Sequence, residues 1–158
     1  MSSLITQRLI TFARKEFRLD WDGIHGAPHW SRVRHNGLLL AKHTGANVRV
    51  VEYFAFIHDL GRWNDHHDPE HGDRAAAIAE NIAGDLIELA ADELDLLTEA
   101  CRGHSDGHTV ADVTVMTCWD ADRLDLGRVG IRPHPKRLCN EMAKYPEFIS
   151  TAYLRSLV

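Results

Sequence analysis

Histidine and aspartate recur along this chain at positions from which several could meet at one point. His58-Asp59 closes the apolar run VRVVEYFAFIHDLG, His29 lies upstream in HGAPHWSRV, and Asp122 lies downstream in DADRLD. Between them stand His71, in DPEHGDRAA, and His104, in ACRGHSDG. A carboxylate at the end of an apolar segment needs a cation or strong donors beside it, because burying it alone is costly. Mixed imidazole and carboxylate ligands suit a divalent transition ion such as Mn²⁺, Fe²⁺, Co²⁺, Ni²⁺ or Zn²⁺. Eleven histidines are many for 158 residues, and they are dispersed rather than clustered as in a purification tag. The three cysteines, Cys101, Cys118 and Cys139, form no C-x-x-C pair, which argues against a thiolate zinc finger and a disulfide framework.

The elements that carry these residues decide whether they can converge. Adjacent side chains on a helix diverge by about 100°, so His58 and Asp59 can lean toward one ion beside the axis. On a strand they would point to opposite faces. The chemistry and a helical reading of residues 48–61 therefore support each other, although an apolar run of this kind is also compatible with a buried strand. Asp120 and Asp122 lie two residues, about 200°, apart on a helix, so only one of them can face the site.

Elsewhere the periodicity is helical. Ile5, Leu9, Phe12 and Ala13 mark an amphipathic helix over roughly residues 3–18. Gly23, Gly26 and Pro28 mark a loop and a helix start, with the next helix running to Thr44-Gly45. Asp68-Pro69 opens a helix bearing Ala75, Ile78, Ala79, Ile82 and Leu86, and Leu94, Leu97 and Cys101 outline another, closing near 103–107. Helix is expected from Met116 onward, with Val113 and Val115 alternating in a strand-like way. Pro133, Pro135 and Pro146 punctuate the tail, for which short helices at most are expected. The fold class that follows is an all-α helical bundle, read as one domain over residues 1–158.

Composition narrows the function classes. With 44% hydrophobic and 26% charged residues the chain reads as globular rather than disordered. A net charge of −5 argues against general nucleic-acid or anionic-membrane binding. No stretch has the apolar length of a membrane span, and MSSLITQRLITFARKEF lacks a signal peptide's apolar core, so a cytoplasmic location is expected.

The order His29 … His58-Asp59 … Asp122 resembles the HD-domain superfamily of metal-dependent phosphohydrolases, an all-α fold named for its His-Asp doublet. The likeness covers about residues 25–125 and is carried by HGAPHWSRV, FIHDLGR and DADRL. It implies that His29, His58, Asp59 and Asp122 hold a divalent metal, the A-D-R-L context favouring Asp122 over Asp120. A subset of the superfamily adds two histidines between the doublet and the last aspartate and so binds a second ion. His71 and His104 stand in that order, which leaves the one-metal and two-metal readings both open. Arg62, closing His58-Asp-Leu-Gly-Arg, matches a basic residue that many members place near the substrate phosphate, and Arg123 is a second candidate for countering phosphate charge.

The resemblance thus implies hydrolysis of a phosphate ester or phosphoanhydride, with a nucleotide as the leading substrate class and metal-activated water as the nucleophile. Asp59 would bridge the ions if two are present. Two rival readings come with the same ligands: a diiron oxygenase, the superfamily's inositol oxygenase type, and a regulatory module that binds metal and nucleotide without turnover. Several features are set aside as structural. His67 and His108 each lie four residues from a proposed ligand but lack a metalloprotease context, and His25, His35, His43, His66 and His134 match no role. Trp30, Trp63 and Trp119 flank proposed ligands and offer a flat wall for a base, with core packing the expectation for at least two of them. Asn64-Asp65 reads equally well as a support to the site and as an ordinary turn.

Overall fold

The computed structural model describes residues 3–158 and is helical throughout. Seven α-helices follow in order: α1 (Gln7–Glu16), α2 (Ala27–Thr44), α3 (Val48–Ile57), α4 (His71–Ile82), α5 (Ala91–Gly103), α6 (Val113–Arg123) and α7 (Pro146–Ser156). Three short 3-10 turns, Leu126–Val129, Pro135–Arg137 and Met142–Lys144, lie between α6 and α7. Among the described residues no helix is long and apolar enough to cross a membrane.

Most helix ends follow from local chemistry. The Thr6 hydroxyl accepts from Leu9 N at 3.2 Å, and Asn47 Oδ1 accepts from the amides of Arg49 and Val50 at the start of α3, each satisfying amides a helix would otherwise leave unpaired. The run VRVVEYFAFI is a helix, and it buries Val50, Val51, Tyr53, Phe54, Ala55 and Ile57. Two expectations are corrected. The sixth helix starts at Val113 rather than Met116, because Asp112 caps it by accepting from Thr114 N at 2.8 Å. The tail supplies a helix of 11 residues, α7, because Leu40, Leu124, Leu138, Ala143, Ile149 and Ala152 form a second apolar cluster that it completes.

Helix α2 is the spine, packed on α3, α6 and α7. A Cβ on Gly37 would lie 2.4 Å from Val51 Cγ1 on α3 and 3.4 Å from Ala121 Cβ on α6. Only glycine lets these three helices approach so closely, and they are the helices that carry or adjoin His29, His58, Asp59 and Asp122. Helices α4 and α5 meet in the same manner: a Cβ on Gly72 would lie 2.5 Å from the Cys101 carbonyl oxygen. That contact brings His71 and His104 together.

Candidate metal centre

His29 projects from the first turn of α2, and His58 and Asp59 form the turn that ends α3; the first two side chains are wholly buried and Asp59 nearly so. Asp122 stands in the last turn of α6. The His29 and His58 Nε2 atoms are 3.1 Å apart. Asp59 Oδ2 lies 3.5 Å from His29 Nε2 and 3.3 Å from His58 Nε2. Asp122 Oδ1 lies 3.1 Å and 3.5 Å from the same two nitrogens. Ligands about 2.0–2.1 Å from one ion stand roughly 3–3.4 Å from each other, so these separations fit a shared cation.

The other oxygen of Asp59 faces a second group. Asp59 Oδ1 lies 3.6 Å from His71 Nε2 and 3.5 Å from His104 Nε2, and those two nitrogens are 2.8 Å apart. His71 begins α4 and His104 follows the end of α5; both are buried. His29, His58 and Asp59 form one group able to hold an ion, and Asp59, His71 and His104 form another. One carboxylate thus faces two adjacent cation sites.

The protonation of the rings follows from their outer partners. His58 Nδ1 donates to the carbonyls of Phe54 and Ala55, at 3.0 and 3.1 Å. His71 Nδ1 donates to the Asp68 carbonyl, and His104 Nδ1 to the Cys101 carbonyl at 2.7 Å. A carbonyl only accepts, so each Nδ1 carries a proton and each neutral ring turns an Nε2 lone pair inward. His29 Nδ1 donates to Asp125 Oδ2 at 2.6 Å, and Arg32 Nε holds the other Asp125 oxygen at 2.7 Å. Inward lone pairs within hydrogen-bonding distance of each other repel unless a proton or a metal ion lies between them. This donor set therefore fits a bound divalent metal, with the outer partners that such ligands require.

The electrostatics point the same way. Burial opposes charge on His58, but the carboxylates of Asp59 and Asp122 outweigh it and push the imidazole up to about 10. His29 is raised as well, burial and Arg128 being overcome by Asp122, Asp125 and Asp59. Asp59 and Asp122 stay well below the usual carboxylate range: burial opposes their ionisation, and the surrounding imidazoles more than compensate. His71 moves oppositely, down to about 4, through burial and then the charge of His104. Without metal, the raised His58 binds a proton at its inward side, and a metal would have to displace it.

Asp122 rather than Asp120 faces the centre. Asp120 turns to the tail, where its two oxygens accept from Cys139 N at 2.7 Å and Asn140 N at 2.8 Å, and from Asn140 Nδ2 at 3.0 Å. Burial raises its pKa, against the pull of those donors.

Beside the candidate ligands lies a cavity of about 440 Å³, bordered by Asp59, His71, His104 and Asp122 and by the arginines 62, 123, 128 and 137. Arg62 is held by Asp59 Oδ1 at 3.4 Å and by the carbonyls of Asn64 and His66, both at 3.2 Å. Arg123 donates from Nη1 to the Arg137 carbonyl at 2.9 Å. The tryptophans do not border the cavity. Trp30 and Trp119 are core residues, their indole N–H groups donating to His25 O and Ala100 O. Trp63 is exposed and lies against Arg18 and Arg74.

Some contributors were invisible to motif reading. Asp125, three residues after Asp122 and so on the same side of the chain's helical turn, orients His29. His25 is buried and paired at 2.7 Å with Asp65, tying the loop after Arg62 to the start of α2. Arg128 and Arg137 come from the 3-10 turns that follow α6. His67 and His108 are exposed and stay outside the two ligand groups.

Protein-family models, curated proteins and solved structures show no significant match to this chain.

Proposed function

We propose that the protein is a metal-dependent phosphohydrolase of the HD-domain type with two adjacent divalent ions, acting on a phosphate ester or phosphoanhydride, with nucleotides as the leading substrate class. The single observation that carries this reading is Asp59 facing two histidine-rich groups from its two oxygens, beneath a cavity edged by arginines. Bound divalent ions supply water of lowered pKa and polarise a phosphoryl oxygen. The chain's own residues do the rest. His29, His58, Asp59 and Asp122 would hold an ion at the inner position, and Asp59, His71 and His104 would hold one at the outer position.

Arg62, fixed by two carbonyls and by Asp59, presents its remaining donors to the phosphate and offsets its charge. Asp122 faces the imidazoles with Oδ1 and is partly open to the cavity. Arg123 adds positive charge at the cavity wall. The cavity's arginines support anion chemistry over the oxygen activation of the inositol oxygenase type, and a complete ligand set supports turnover over a purely regulatory role.

The test is metal analysis of protein purified without chelator, combined with a phosphatase screen across nucleotides and simple phosphate esters in Mn²⁺, Co²⁺ or Fe²⁺. Two ions per chain and phosphate release that disappears in the His58→Ala variant are expected. Stoichiometric iron with oxygen uptake on an organic substrate, or no turnover of any phosphate compound by fully loaded protein, would overturn the proposal.

A further inference from the structure

The four cavity arginines divide by what already holds them. Arg62 has Asp59 Oδ1 at 3.4 Å, and Arg128 has Asp125 Oδ2 at 4.0 Å together with the carbonyls of Ile24 and Asp125. Arg123 and Arg137 differ: among the described residues neither has a carboxylate within ion-pair distance. They are nonetheless neighbours, since Arg123 Nη1 donates to the Arg137 backbone carbonyl at 2.9 Å. Arg123 is 9% exposed, and its Nη2 is shielded from solvent with no hydrogen-bond partner. The Trp119 ring, 5.5 Å from its Cζ, takes up part of this charge but leaves hydrogen-bonding capacity unused.

A buried guanidinium with an unused donor is costly unless an anion meets it, and a second, exposed arginine lines the same cavity. The proposed reaction places the scissile phosphate at the ions, next to Arg62. A second anionic group on the same small molecule is what the remaining wall fits. Among the described residues no Phe, Tyr or Trp side chain borders the cavity.

We infer that Arg123 and Arg137 form a second anion subsite, and that the substrate carries at least two phosphate-type groups: a di- or polyphosphate, or a bisphosphate, rather than a simple monoester. This rests on the phosphohydrolase reading and deepens it. Arg123, whose Nη1 already donates to the Arg137 carbonyl and to Cys139 Sγ, is the buried and pre-oriented member; Arg137, exposed on its 3-10 turn, would meet the ligand's outer phosphate.

The experiment is calorimetric titration of metal-loaded protein with inorganic phosphate and with methylenediphosphonate, whose P–C–P link resists hydrolysis. The diphosphonate is delivered as its Mn²⁺ complex so that it does not strip the site. The diphosphonate should bind at least about tenfold more tightly than phosphate, the scale of one or two charged hydrogen bonds. Arg137→Ala, a change at an exposed position, should remove most of that preference and leave phosphate affinity within about twofold. Arg123→Lys should weaken the preference less, since it keeps the charge but loses the planar fork.

Equal affinity for the two ligands, or a preference that survives Arg137→Ala, overturns the second subsite while leaving a monoester phosphohydrolase intact. Failure to bind phosphate in any form would count against the phosphohydrolase reading as well. The two failures are therefore distinguishable.

Discussion

The two halves of the ligand cluster share Asp59 but are built differently. The inner group, His29, His58 and Asp122 with Asp59 Oδ2, sits where α2, α3 and α6 pack against one another. Two of its imidazoles are wholly buried, two carboxylates serve it, and Asp125 and Arg32 brace it from behind. The outer group, His71 and His104 with Asp59 Oδ1, stands at helix ends, has one carboxylate, and borders the cavity. Its His71 is held neutral, down to about 4, whereas His58 is pushed up to about 10. The lesson is a division of labour. Charge density and burial suit the inner position to retaining an ion, and openness suits the outer one to exchanging ligands.

Breaking the shared element should have the largest effect. Asp59→Ala should leave the protein without either ion and without phosphate release, as read by metal analysis and a phosphate assay. Retention of one full equivalent would mean that the two groups do not depend on their common carboxylate. Removing one side only should separate them: His58→Ala should lose the inner ion and, with it, the anchor of the outer one, whereas His71→Ala should keep about one ion per chain. A His71→Ala protein emptied of metal would mean that the inner group cannot retain an ion by itself.

A smaller effect is expected behind the inner group. Asp125→Asn keeps the shape but weakens the acceptor that orients His29, and should lower metal affinity by about 10–100-fold without unfolding the chain. The helix contact beneath the site should matter less for chemistry than for stability. Gly37→Ala places a methyl 2.4 Å from Val51 Cγ1 and should cost about 1–3 kcal/mol, read from denaturant midpoints, with metal stoichiometry unchanged.

The finest test is of proton linkage. His58, protonated near neutral pH in the metal-free protein, must release its proton when the inner ion binds, so inner-site affinity should fall as pH falls from 8 to 6. The outer His71 is already neutral in that range and contributes no such proton. Calorimetry in buffers of differing ionisation heat should therefore find proton release dominated by the first equivalent of metal.

Much of the fold is legible in the sequence. The helical period placed α1, α2, α4 and α5 to within a few residues, and the His-Asp doublet itself argued that residues 48–61 are helical. The ordering of His29, His58, Asp59 and Asp122 picked out four residues whose side chains the fold brings together. What escaped was set by contacts distant in the chain. The tail was expected to hold short helices only, yet α7 forms in full because its apolar face completes a cluster with Leu40 and Leu124. Nothing in the sequence marks Arg128 and Arg137, and only the path of the chain after α6 brings them to the cavity. Asp125 carried a weak signal, three residues from Asp122, that acquires meaning only opposite His29 Nδ1.

The chain's residue types and periods determined an all-helical fold and a set of candidate ligands, because helix geometry and the cost of burying charge act locally. Tertiary structure turned the preference for Asp122 over Asp120 into a contact, and it alone decided whether His71 and His104 meet. The physical reason is that both outcomes depend on which partner each side chain finds across the bundle. Asp120 finds the amides of Cys139 and Asn140. Asp122 finds two imidazoles, and the glycine at 72 lets α4 and α5 close until their histidines face one carboxylate oxygen.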